Sequence, residues 1–113
     1  MATPVIDAAT FAELQGSAGA EFVAELIDTF FDEAPPMLAD LKSALAANQP
    51  ETFRRAAHSL KSNALTFGAL ALGAMGRELE LGGLAAGRAP GALERLDEEY
   101  GRAAAALAEL KGG

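Results

Sequence analysis

The chain has 113 residues, a single histidine, no cysteine and a formal charge of −7, which suits one domain and excludes disulfides, Cys-based zinc sites and thiolate chemistry. Half of the residues are hydrophobic, mostly Ala and Leu, while Val and Ile together number only four, so helix formers abound and strand formers are missing. The acidic balance argues against nucleic acid, whose phosphates need a broad basic footprint.

Five helical segments follow in chain order. Asp7 is placed to cap a short first helix to about Gln15, which "GSAG" ends. A second runs from near Gly19 to about Asn48 with an i, i+3/i+4 stripe of Val23, Ile27, Phe30, Ala34, Met37, Leu41 and Leu45. Pro35-Pro36 in its middle predicts a kink or short break. Asn48 is the expected cap of the third helix, with Pro50 in the first turn and Gly68 as terminator beyond Phe67. The fourth spans about Ala69 to Leu84 and buries Leu72, Met75 and Leu79, its end weakened by Gly82-Gly83. Pro90 opens the fifth, whose stripe is Leu93, Leu96, Tyr100, Ala103, Leu107 and Leu110. The run Asp97, Glu98, Glu99 reads as a solvated face, and Gly73 and Gly76 as points of close helix packing.

Short links between long amphipathic helices make the expected fold all-α, an antiparallel up-down four-helix bundle with a short N-terminal capping helix. The start "MATPVIDAATF" has neither the basic opening nor the apolar run of a secretion signal. The uncharged stretch 63–76 is well short of the ~20 residues that span a bilayer. We therefore expect a soluble, cytoplasmic single domain over residues 1–113, with no membrane contact.

The histidine lies in "FRRAAHSLKSNALTFG". At about 100° per residue, Phe53, Ala57, Leu60, Ala64 and Phe67 share one narrow sector, and His58 lies roughly 140° from its centre. The imidazole thus points to water from the middle of a rigid helix. Arg54 precedes it by four positions, Lys61 follows by three and Ser62 by four, with Leu65 at the edge of the same face. Metal binding is poorly supported, because one His without His or acid at i+4 makes at most one ligand. A Ser-His-Asp triad lacks its nucleophile and orienting acid, and no phosphate-binding glycine loop occurs. The arrangement suits an imidazole that carries a phosphoryl group, with Lys61 and Arg54 holding its oxygens and the small Ser62 leaving room for a partner's active site.

At these residues the sequence resembles the histidine-containing phosphotransfer (HPt) domains of phosphorelays. The family pattern, His-x-Leu-Lys-Gly, then Leu or Phe with Gly, then Leu-Glu, is matched by His58, Leu60, Lys61, Phe67, Gly68, Leu79 and Glu80. Ser62 stands where the family most often has Gly. The resemblance implies a carrier and not an enzyme: His58 is the phosphoacceptor, through Nε2, and Lys61 stabilises the phosphoryl group, with Ser62 and Arg54 in support. It also implies partners, the receiver domain of a hybrid histidine kinase and that of a response regulator, which bring the Mg²⁺. The chain itself is expected to need no cofactor or metal. Arg55, Leu65 and Gly68 fall on the expected docking face, and Phe31 and Met37 of the second helix are candidates to extend it. Two other readings compete: a non-phosphorylated adaptor, and a kinase-type dimerisation bundle. The second usually has an acid directly after the histidine, where this chain has Ser59, and it demands a dimer where a carrier is expected to be monomeric.

Overall fold

The computed structural model describes residues 5–112. Five helices make it up: α1 (Ala8–Ala18), α2 (Ala20–Ala46), α3 (Pro50–Thr66), α4 (Leu70–Arg88) and α5 (Ala92–Gly112). No strand occurs among the described residues. The 27 residues of α2 rise about 40 Å at 1.5 Å each, which accounts for the molecule's 41 Å long axis.

The core is built from the stripes that periodicity marks. Val23, Ile27, Phe30, Leu41, Phe53, Leu60, Leu72, Leu96 and Leu107 are all essentially inaccessible, each contributing about 1.5–3 kcal/mol by burial. Phe30 joins three helices, its ring centroid 5.5 Å from that of Phe67 and 5.7 Å from Tyr100. Burial raises the Tyr100 phenol above its ordinary pKa. Interhelical ion pairs set the direction of the last helix: Lys42 meets Asp97 at 2.8 Å, and Lys111 meets Asp28. Positions low in α2 thus face positions high in α5, and the two helices run antiparallel.

At the N-terminus Asp7 caps α1, accepting from the Thr10 amide at 3.0 Å and the Thr10 hydroxyl at 2.6 Å. These bonds, the hydroxyl's first, hold its carboxyl below the usual range. The Asp7 amide also donates to the Gly68 carbonyl at 2.8 Å, docking the small helix on the end of α3. Gly68 must be glycine on two counts: its φ is +83°, and a Cβ would lie 3.0 Å from the Asp7 carbonyl oxygen.

The helix boundaries depart from the sequence reading in several places. α1 runs through Gly16 and ends at Gly19 rather than near Gln15. Pro35-Pro36 does not interrupt α2; the pair removes the amide bonds to the carbonyls of Phe31 and Asp32, but both prolines are exposed, so the freed carbonyls lie on the side of the helix that water reaches. Packing on both sides of the pair holds the helix together. Past it the buried positions are Leu38, Leu41 and Ala44, while Met37 and Leu45 are only half-buried. Asn48 does not cap α3. Its φ is +56°, which makes the tight turn out of α2, and its side-chain oxygen accepts from Arg88 at 2.7 Å. Gln49 holds the cap position, with Pro50 in the first turn as expected. In α4 the break falls at Gly83 (φ 66°, ψ −153°), but helix resumes through Arg88. Leu110 is exposed at the end of α5. Glu99 is no part of a solvated face: it is buried and paired with Arg102 at 2.7 Å.

Glycine sets the spacing of α3 and α4. A Cβ on Gly73 would meet Leu65, one on Gly76 would meet the Lys61 backbone and Cβ at 3.1 Å, and one on Gly87 would meet Phe53. These pairs run in opposite directions along the chain, so α3 and α4 are antiparallel neighbours in close contact. Gly101, by contrast, has nothing within 4 Å. Gly101→Ala should therefore raise stability by about 0.5–1 kcal/mol. Gly76→Ala should lower it by about 1 kcal/mol or more despite the same helix gain, because backbone must move. Denaturant melts of the two variants measure both effects, and an equal rise would disprove the close contact.

Candidate functional site

α3 carries its core side chains at Phe53, Ala57, Leu60 and Ala64, all fully buried, which turns His58 outward with 54% of its side chain exposed. A single ring nitrogen is engaged. Nδ1 lies 2.8 Å from Oε2 of Glu80 on α4. The other oxygen of the same carboxylate, Oε1, meets the Lys61 ammonium at 2.7 Å. That second contact is an ion pair by distance without a well-aligned hydrogen bond. Glu80 is only 15% exposed and Lys61 22%, so both lie in the seam between α3 and α4 beneath the more open imidazole.

The charges decide the chemistry. Lys61 above all, and then the bond to His58, hold the Glu80 carboxyl below its usual pKa against an opposing desolvation. Glu80 is therefore ionised at neutral pH, and a carboxylate can only accept. The hydrogen of the neutral ring therefore sits on Nδ1, which leaves the lone pair on Nε2, the nitrogen turned away from Glu80. An imidazole in that tautomer is a nucleophile with its reactive atom pointing outward.

The remaining sequence candidates are placed unevenly. Arg54 is exposed and turned to Glu51, Nη2 to Oε2 at 3.0 Å, so it is engaged away from the ring. Arg55 is exposed and forms no ion pair among the described residues. Ser62 is exposed, and its carbonyl accepts from the Thr66 hydroxyl at 2.9 Å. Leu65 is exposed and packs over Gly73. Gly68, expected on the docking face, is buried beneath Asp7 and Thr10 and has no surface to present. Phe31 and Met37 are half-buried against the core. The freely exposed leucines nearest in sequence to the site are instead Leu65, Leu70 and Leu81.

The setting of His58 is thus not purely basic, because a carboxylate stands at its centre. Sequence reading matched Glu80 to a pattern but assigned it no role. Its partner lies 22 positions away, and only the α3–α4 register brings them together. Among the described residues no group of three His, Cys, Asp or Glu side chains could hold a metal ion, and no helix is long and apolar enough to cross a membrane.

The fold and site can be set beside known proteins. A family model described as Hpt domain matches residues 25–112. The crystal structure of histidine-containing phosphotransfer protein B (HptB) from Pseudomonas aeruginosa PAO1 superposes with a TM-score of 0.85 at 28% identity, covering 98% of this chain and 97% of that one. No curated protein matches the sequence.

Nitrogen-detected NMR should show the neutral His58 ring with its hydrogen on Nδ1 and Nε2 bare, and Glu80→Ala should release that preference. A carboxyl with a lowered folded pKa stabilises the fold above its unfolded value and loses that contribution as pH falls through the lowered one. The tether should therefore hold at neutrality and break only in acid, below the ordinary carboxyl value of 4.5. Ring shifts identical in wild type and Glu80→Ala would contradict the assignment.

Proposed function

The chain belongs to the Hpt domain family, the histidine phosphotransfer proteins of phosphorelays, and from that premise we propose that it carries a phosphoryl group on Nε2 of His58 between receiver-domain aspartates. The observation that carries the reading is the Nδ1–Glu80 bond, which in the neutral ring puts the lone pair on the outward nitrogen.

Phosphoryl transfer asks mainly for positioning and charge stabilisation. Nε2 attacks the phosphorus of a receiver's aspartyl phosphate in line, and the aspartate departs as a carboxylate. Lys61, already beside Glu80, turns its ammonium to the phosphoryl oxygens. The exposed Arg54 gives weaker support from its pair with Glu51. Ser62, one turn beyond the histidine, is small enough for a receiver's cleft to close over the ring. The receiver supplies the Mg²⁺ and the acidic pocket. This chain supplies nucleophile and cation, and acts as carrier and substrate rather than as enzyme, without a cofactor of its own.

The donor is the receiver of a hybrid histidine kinase, and the acceptor that of a response regulator. Arg55 and Leu65 meet it beside the histidine, a free cation for an acidic rim and an apolar contact at the centre. Leu65 is an exposed side chain of the histidine's own helix; Phe31 and Met37, mostly covered, add little. The protein works as a cytoplasmic monomer, one domain over residues 1–113.

Incubation with phosphorylated receivers should label the protein in an acid-labile, alkali-stable form, and His58→Gln should abolish the label. Lys61→Ala should slow transfer at least about tenfold, through the lost charge on the phosphoryl oxygens, and should lower the melting temperature somewhat, because Glu80 in the helix seam loses its cation. Label that persists in His58→Gln would overturn the reading.

A further inference from the structure

We infer that Glu80 keeps the proton on Nδ1 of His58 after Nε2 has been phosphorylated, so that the phosphoryl group always leaves from a protonated ring. This inference rests on the carrier reading above. It concerns the second half of the reaction, the departure, where a bare nucleophile is no longer what matters.

The electron count shows why the proton counts. Uptake forms the P–N bond from the Nε2 lone pair while the P–O bond to the donor aspartate breaks, its electrons going to the carboxylate. The ring began neutral with hydrogen on Nδ1, so it ends as a cation. If that proton stays, the onward step breaks the P–N bond and returns the pair to Nε2, leaving a neutral imidazole and phosphorylating the acceptor carboxylate. If the proton is lost in between, the leaving group is an imidazolate, which is far more basic and departs slowly. Holding one proton in place thus keeps the phosphorylated ring ready to transfer.

Glu80 is built to hold it. Oε2 serves Nδ1 alone at 2.8 Å. Oε1 is paired with Lys61 at 2.7 Å, so the lysine can leave without disturbing the oxygen that serves the ring. When Lys61 turns to the phosphoryl oxygens, the carboxylate loses its compensating cation at the moment the ring gains a positive charge. Its attraction for the Nδ1 proton then rises in a site only 15% exposed on the carboxylate side. The other charges nearby are Arg54, within electrostatic reach of Glu80 but paired with Glu51, and Arg55 and Arg77, one turn before His58 and Glu80 in sequence. Neither α2 nor α5 forms an ion pair with His58, Lys61 or Glu80 among the described residues.

Glu80→Gln separates the charge from the geometry, since glutamine keeps the length and an oxygen that accepts from Nδ1–H. Wild type and variant are phosphorylated chemically with phosphoramidate, and loss of the phosphohistidine signal is followed by phosphorus NMR from about pH 5 to about pH 9, spanning the imidazole range. Wild type should remain labile to a pH about one unit higher or more, so that on the alkaline side the variant hydrolyses ~tenfold more slowly, with equal rates in acid. Nitrogen NMR of phosphorylated wild type should show Nδ1 still protonated at mildly alkaline pH, a readout independent of how the variant folds. Superimposable pH profiles, or a deprotonated Nδ1 in the wild type there, would overturn the inference. The receiver assay tests the carrier reading separately, so the two failures are told apart.

Discussion

The close approach of α3 and α4 is the constraint on which the site depends. Gly76 lies against the Lys61 backbone, and Glu80 follows one turn later on the same helix. At that separation a glutamate is long enough to reach two side chains of the facing helix with its two oxygens. A helix pair held apart by ordinary side chains, at 8–10 Å between axes, would leave the carboxylate short of the ring or force it to choose. The glycines therefore do more than fill a core. They set the distance over which one acid orients an imidazole and anchors a lysine.

That shared acid gives the imidazole its direction. A histidine on a bare helix face is free to rotate and to exchange its hydrogen between nitrogens. Here Nδ1 is committed to an ionised carboxylate held in the helix seam, so the ring presents one nitrogen outward. Lys61 is drawn down beside it, near enough to serve a group on that nitrogen and balanced meanwhile by Glu80. The isolated charges on the surface of α3 are weaker partners: Arg54 is already occupied, and exposed pairs of its kind contribute little.

The bundle frames this arrangement without taking part in its chemistry. Phe30 at the junction with Phe67 and Tyr100 fixes α2 and α5 around the histidine helix, and α1 is tied to the end of α3 through Asp7 and Gly68. Both exposed prolines of α2 sit within this frame without breaking it, because packing on both sides outweighs two lost bonds to carbonyls that water can reach instead.

Much of the protein was legible in the sequence for local reasons. Helix class follows from composition, the core from periodicity, and the outward turn of His58 from the 100° step of a helix, none of which needs a second element. The cap at Asp7 and the stop at Gly68 are equally local. What the sequence could not decide was which groups from other helices stand beside these. Glu80 at His58, Arg88 at Asn48, the burial of Glu99 and the covering of Gly68 all depend on the register between helices far apart in the chain. Periodicity names a face, but the depth and partner of each side chain on it come from packing, and packing exists only in the folded molecule.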